Sequence, residues 1–252
     1  MNSYNEEDLE KLAKFKVVKG ILIISLIYRD TREFIYNFFH PMSRVEKEDL
    51  EEAEEINSES EFFYGDIKLY KLESGSEVLF YEGSKARLMA ILKPNIINAN
   101  SNSAELIEGV LERFLYEFEA KYSKILKEWD GDTSVFKECD EMLFEYLNVD
   151  LTFPHITKYR GFNPEDPLEQ YIFQAADDFT RKIGYFYLDN LVFLTKQHVR
   201  ERAKEEGKDV KSIEFPPDED FYLASFKLKK LGMLQKIDNF LEELNLYSKI
   251  KY

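Results

Sequence analysis

The run Val17 to Tyr28 (VVKGILIISLIY) constrains the fold most, because nearly every side chain in it is apolar and most are β-branched or Leu. Its longest apolar stretch, Gly20 to Tyr28, is far short of the roughly 20 residues that span a bilayer. β-branched side chains favour extended backbone, so the run reads as a strand buried on both faces, the centre of a sheet. A second run, Glu33 to Phe39 (EFIYNFF), follows after the four polar residues Arg29-Asp30-Thr31-Arg32, and the pair reads as an antiparallel hairpin. His40-Pro41 ends it, since proline has no N–H for a ladder.

Downstream patterns place other elements around that hairpin. Ser43 to about Ser60 is strongly acidic, with Val45, Leu50, Ala53 and Ile56 at helical intervals and Ser43 as N-cap with Glu46 three residues on. This predicts a helix with one narrow apolar stripe. Asp66 to Leu72, Glu77 to Tyr81 and Lys85 to Leu92 read as a three-stranded meander, and glycine at each break (Gly75, Gly83) permits the positive φ of tight hairpins. Ser103 precedes a long amphipathic helix running to about Trp129. Leu106, Ile107, Val110, Leu111, Phe114, Leu115, Phe118, Tyr122, Ile125 and Leu126 recur on it at three- and four-residue spacing. Asp130-Gly131-Asp132 breaks it, and Val135 to Leu147 gives a shorter helix.

The expected organisation is therefore an amphipathic lead-in over residues 1–16, an α+β domain over 17–151, a linker over 152–167 and a small mainly helical domain over 168–252. The linker rests on FPHITKYRGFNPEDP, which holds three of the seven prolines. In the last segment, helices are expected over Leu168 to Ile183, Asp189 to Glu206 and Pro216 to Leu231. Short strands fall near Tyr185 to Leu188 and Met233 to Ile237, and an end helix carries Phe240, Leu241, Leu244 and Leu246.

The β-β-α-β-β-β-α-α order, with a buried first hairpin and a long penultimate helix, resembles the longin family, a profilin-like fold. The likeness covers roughly residues 17 to 150. It is strongest over Glu105 to Leu147, where LIEGVLERFLYEFEAKYSKILKEWDGDTSVF is similar to the family's long helix, its F…FE..Y pattern and the break before its last helix. The resemblance implies an antiparallel five-stranded sheet. It also implies a non-catalytic protein-interaction module of vesicle trafficking or small-GTPase regulation, a scaffold that binds a Ras-like GTPase or another longin subunit and pairs as a homo- or heterodimer. The chain departs from the family in its acidic, apolar-poor helix between Ser43 and Ser60, a place where family members often bind partners. The C-terminal segment resembles a winged helix, which implies a DNA-binding, transcription-type regulator as the alternative.

Charge and chemistry bound these expectations. The net charge of −15 is uneven, about −14 over residues 1 to 151 and about −1 beyond, which disfavours phosphate backbones as ligands of the first half. With 44% hydrophobic and 15% aromatic residues there is enough apolar surface for a real core. A single cysteine and no basic-then-apolar start predict a cytoplasmic protein, meeting membranes only through its partners. Neither GxxxxGK[ST], GxGxxG nor GxSxG occurs, and no cofactor, metal or catalytic residue is assigned.

Individual candidates read as structural. His40, His155 and His198 lie outside metal spacing of one another and of Cys139, which sits on an apolar helix face among Glu138, Asp140 and Glu141. Asp130, Asp132 and Ser134 alternate as calcium ligands do but lack the spacing of an EF-hand, so they read as a capping loop. The acidic run Glu46 to Glu55 reads as a solvated helix face. Lys196, Arg200, Arg202, Lys204, Lys208 and Lys211 gather cations, yet the interleaved Asp189, Glu201, Glu205, Glu206 and Asp209 predict ion pairs. Tyr185, Phe186 and Tyr187 read as core. The partner-binding residues are left unassigned.

Overall fold

Ile21–Tyr28 (β1) is a strand buried at every position, and it lies inside the sheet as its apolar run requires. The computed structural model describes residues 5–40, 45–94, 96, 101–159, 161 and 163–237, with the backbone alone at 101–104. Two compact units form: Ala13–Val149, and the described residues from Asp150 on together with those before Ala13. The division falls inside the first helix, Glu6–Val18 (α1), which takes in Val17 and Val18. Those two were expected in the strand. The chain turns instead at Gly20, where a Cβ would lie 2.8 Å from Ile96 Cδ1, so a residue without a side chain marks the passage from helix to strand.

In the Ala13–Val149 unit, β1 is followed by Phe34–Phe39 (β2), Lys47–Glu59 (α2), Ile67–Lys71 (β3), Glu77–Glu82 (β4), Ala86–Leu92 (β5) and Ser101–Lys127 (α3). The five strands form one antiparallel sheet ordered β2-β1-β5-β4-β3. Register separates its two faces. Ile23, Ile27, Val78, Phe80, Met89 and Ile91 form a buried cluster with Ala53 of α2, against which Leu50 and Ile56 pack. Tyr81, one residue on from Phe80 and therefore on the opposite face, donates its hydroxyl to Glu112 of α3 at 2.8 Å. Ile107, Leu111, Phe114, Leu115, Phe118, Tyr122 and Leu126 make the buried stripe of α3. The mixed α+β class and the antiparallel five-stranded sheet are thus as expected.

Local details depart from the sequence expectations. Ser43 lies outside the described residues, and α2 begins after Glu46, whose side chain makes no cap bond. α3 begins at Ser101, two residues before the expected cap. Gly75 adopts φ 93° in its hairpin, but Gly83 is not in the left-handed region. Glycine stands at 83 for space, because a Cβ there would lie 2.5 Å from Glu119 Oε1 and 2.6 Å from the Ala86 carbonyl oxygen. After α3 come a 3-10 turn (Thr133–Phe136), the short helix Cys139–Met142 (α4) and a π-helical turn, Leu143–Leu147.

The other unit corrects the expected linker. Pro154–Thr157 (β6) is the central strand of a three-stranded antiparallel sheet, between Phe186–Tyr187 (β7) and Leu234–Lys236 (β8). Proline is tolerated as the first residue of a strand, so the proline-rich composition hid an element rather than marking a link. Pro167–Ile183 (α5) is capped by Asp166, which accepts from Leu168 N at 2.8 Å, and ends at Gly184 with φ 100°. Leu188–Glu205 (α6) and Asp218–Lys230 (α7) complete the described elements. The expected end helix with Phe240 lies outside the described residues. Among the described residues no helix is long and apolar enough to cross a membrane.

Candidate interaction surface

Cys139 is buried, and burial followed by the neighbouring Asp140 pushes its thiol up to about 12, far from a thiolate at neutral pH. His40 and His155 are buried, and burial, with Lys93 and Lys229 respectively adding to it, lowers each to about 4. His198 Nδ1 lies 3.2 Å from Asp178 Oδ2. Among the described residues no three His, Cys, Asp or Glu side chains converge as metal ligands. Asp132 accepts from both the backbone N–H (2.8 Å) and the hydroxyl (2.9 Å) of Ser134, and Asp130 accepts from Asp132 N at 3.1 Å, a capping loop.

Cations of α6 and of the turn after it face carboxylates and rings. Lys196 pairs with Asp218, Arg202 Nε lies 3.4 Å from Glu206, and Lys208 lies 2.6 Å from the same carboxylate. Arg200 packs 5.1 Å from the Phe215 ring centroid. Phe186 is buried beside His155, while Tyr185 and Tyr187 meet edge to face.

Two constellations were not assigned from the sequence, both in the Ala13–Val149 unit. The first is ionic and buried. Glu82 and Arg87 are 1% and 4% exposed, and occupy opposed positions on β4 and β5 just outside the turn joining them. Arg87 Nε donates to Glu82 Oε2, its Nη1 donates to the Asn57 side chain on α2, and its guanidinium carbon sits 3.8 Å from the Phe62 ring centroid. Arg29 Nε lies 3.0 Å from Glu82 Oε1, close enough for an ion pair but without hydrogen-bond alignment, since that oxygen has no hydrogen-bond partner. This cluster ties α2 to the sheet.

The second lies on the α3 side of the sheet and opens to solvent. A groove of about 290 Å³ is lined by Tyr64, Tyr81, Tyr116, Glu112, Arg113 and Glu119, with Gly83 and Gly109 leaving its walls low. Tyr64 and Tyr116 are 73% and 70% exposed. Burial, the hydrogen bond to Glu112 and the charges of Glu112, Tyr64 and Glu119 push the Tyr81 phenol up to about 12. Glu119 is fixed: it accepts from the Ser84 hydroxyl (2.7 Å), Lys85 N (2.7 Å) and Ala86 N (2.8 Å), clamping the β4–β5 turn to α3.

The edge of the sheet adjoins this face. β3 ends the strand order, and its Ile67 and Leu69 are 39% and 43% exposed on the same face as Tyr81, Ile67 being directly opposed to it. A larger groove of about 500 Å³ at the opposite edge, along Phe34 to Asn37, is crossed by the hydrogen bond from the Tyr36 hydroxyl to Asp140. Exposed aromatic and aliphatic side chains beside a terminal strand are the features of a protein-binding surface, and the Tyr64–Tyr116 side combines them. Comparison with protein-family models, with curated proteins and with solved structures finds nothing that matches this chain.

Proposed function

We propose that the chain is a non-catalytic interaction module whose Ala13–Val149 unit binds a Ras-like GTPase or a longin-type subunit, acting in membrane traffic or GTPase control. The observation that carries this reading is the exposed aromatic surface at the β3 end of a sheet otherwise clad on both faces. The order β-β-α-β-β-β-α observed from β1 to α3 supports it, being the order on which the longin resemblance rests. Calorimetric titration of the full chain with a panel of cytosolic small GTPases, each loaded with GDP or a GTP analogue, tests it. Saturable binding to at least one GTPase, at micromolar concentration or below, is expected; no heat of binding in either nucleotide state across the panel counts against the reading.

A further inference from the structure

The acidic, tyrosine-lined groove beside β3 has a chemistry that selects its occupant. We propose that it takes a basic, extended segment of a partner protein, which adds as a strand along the edge of β3 and lodges one arginine or lysine side chain among Tyr64, Tyr81 and Tyr116, facing Glu112. The inference rests on reading the chain as a protein-binding module and names the partner's chemistry.

Three observations converge on that occupant. β3 is the last strand of its sheet, with no strand beyond it among the described residues, and an antiparallel strand directs alternate backbone N–H and C=O groups away from its partner. An added strand meets those groups and buries Ile67 and Leu69 under its own side chains. The groove supplies aromatic faces whose quadrupole attracts a cation, as in recognised ammonium and guanidinium sites. The carboxylates of Glu112 and Glu119 outnumber the one lining cation, Arg113, whose charge also acts on Tyr146. Lys68, in the middle of β3, lies on the opposite face, 4.8 Å from the Phe62 ring centroid, and Lys71, which ends β3 on the Ile67 face, stands directly opposite the carboxylate of Glu77 on β4, at the end of the strand away from Tyr81.

The test is fluorescence anisotropy of the full chain with a labelled ten-residue peptide alternating valine and arginine, against the same peptide with glutamate in place of arginine. The arginine peptide is expected to bind at micromolar concentration, at least about tenfold more tightly than the glutamate peptide, and more weakly as salt rises. Glu112→Gln and the double variant Tyr64→Ala/Tyr116→Ala are expected to weaken it about tenfold each. The two tyrosines are exposed, and unchanged Trp129 fluorescence verifies that the variants fold. Equal binding of both peptides, no binding, or wild-type affinity in the variants would overturn the assignment, as would concentration-dependent self-association lost in the same variants, which makes a second copy the occupant. A GTPase that binds wild type and the tyrosine variant alike sinks the groove and leaves the interaction module standing; silence of every GTPase sinks the GTPase reading while the peptide result stands.

Discussion

Arg87→Met tests whether the Glu82–Arg87–Asn57 cluster holds α2 in place. The substitution keeps an unbranched stem against Phe62 but removes the donor to Glu82 and Asn57, leaving a carboxylate that is 1% exposed with only Arg29, itself about one-third exposed, at ion-pair distance. Breaking a buried pair by removing one partner costs about 3–5 kcal/mol. Because Arg29 remains, a value near the lower end, about 3 kcal/mol, is expected. Replacing both ions, as Glu82→Leu/Arg87→Met, removes the uncompensated charge and is expected to cost about 1 kcal/mol, chiefly the lost bond to Asn57.

The assay has a built-in reporter. Trp129 is the single tryptophan; its ring meets Tyr28 edge-on at 5.1 Å and lies 6.4 Å from Phe136, all within the Ala13–Val149 unit. Urea unfolding followed by its fluorescence therefore reads this unit, and with a slope of about 2 kcal/mol per molar the single variant lowers the midpoint by roughly 1.5 M. The signature is the coupling: the double variant is more stable than Arg87→Met. A single substitution costing under about 1 kcal/mol, or a double variant costing the sum of its singles, would refute the reasoning.

Two further outcomes follow from the buried titratable groups. His155 is held near 4, below the ordinary 6.5, so it is neutral when folded while the unfolded chain takes up a proton below 6.5. Stability is full above about pH 6.5 and falls between there and pH 4, by at most about 1.4 kcal/mol per unit. NMR should find the His155 ring still neutral at pH 5.5, and His155→Leu should flatten the fall of its unit's melting temperature between pH 7 and 5; a ring titrating near 6.5 contradicts this. Cys139, buried with its thiol raised, is expected to resist a disulfide reagent at pH 8 in the native protein and to react with one equivalent after unfolding, and fast native labelling would show that its site opens.

How much of this was legible in the sequence depends on whether the signal was local. The α3 stripe and the β3–β5 meander follow from side-chain periods of 3.6 and 2, so the sequence placed them within a few residues. Val17 and Val18 were misread because β-branching favours strands, whereas the turn at Lys19-Gly20 gave them to α1. β6 was masked by its own first residue, Pro154, and by Pro164 and Pro167 after it, since composition averages over a window longer than a four-residue strand. Glu82 and Arg87 did leave a signal: opposite charges inside apolar strands, symmetric about a hairpin turn, are cross-strand neighbours. The groove left a fainter one. Tyr64, Tyr81 and Tyr116 come from a loop, a strand and a helix, and only Tyr116, an aromatic between Glu112 and Glu119 on the polar side of α3, stands out in one dimension.

The same contrast bears on where a partner binds. Of the fully buried residues of α2, Asp49, Ala53 and Asn57, only one is apolar, so the narrow stripe of Ala53 with the partly buried Leu50 and Ile56 is supplemented by polar contacts such as Asn57 with Arg87, and the backbone N–H of Glu73 donates to Glu52. Its outward face is acidic and offers an incoming apolar surface little to bury. α3 is anchored instead by a long apolar stripe, independent of what happens on its solvent side, and leaves Tyr116 and Glu112 beside the open edge of β3. A surface carried on a rigidly anchored helix loses little conformational entropy when a ligand docks. On the proposed reading, the partner engages the α3–β3 side, and loosening α2 through Arg87→Met leaves that affinity nearly unchanged.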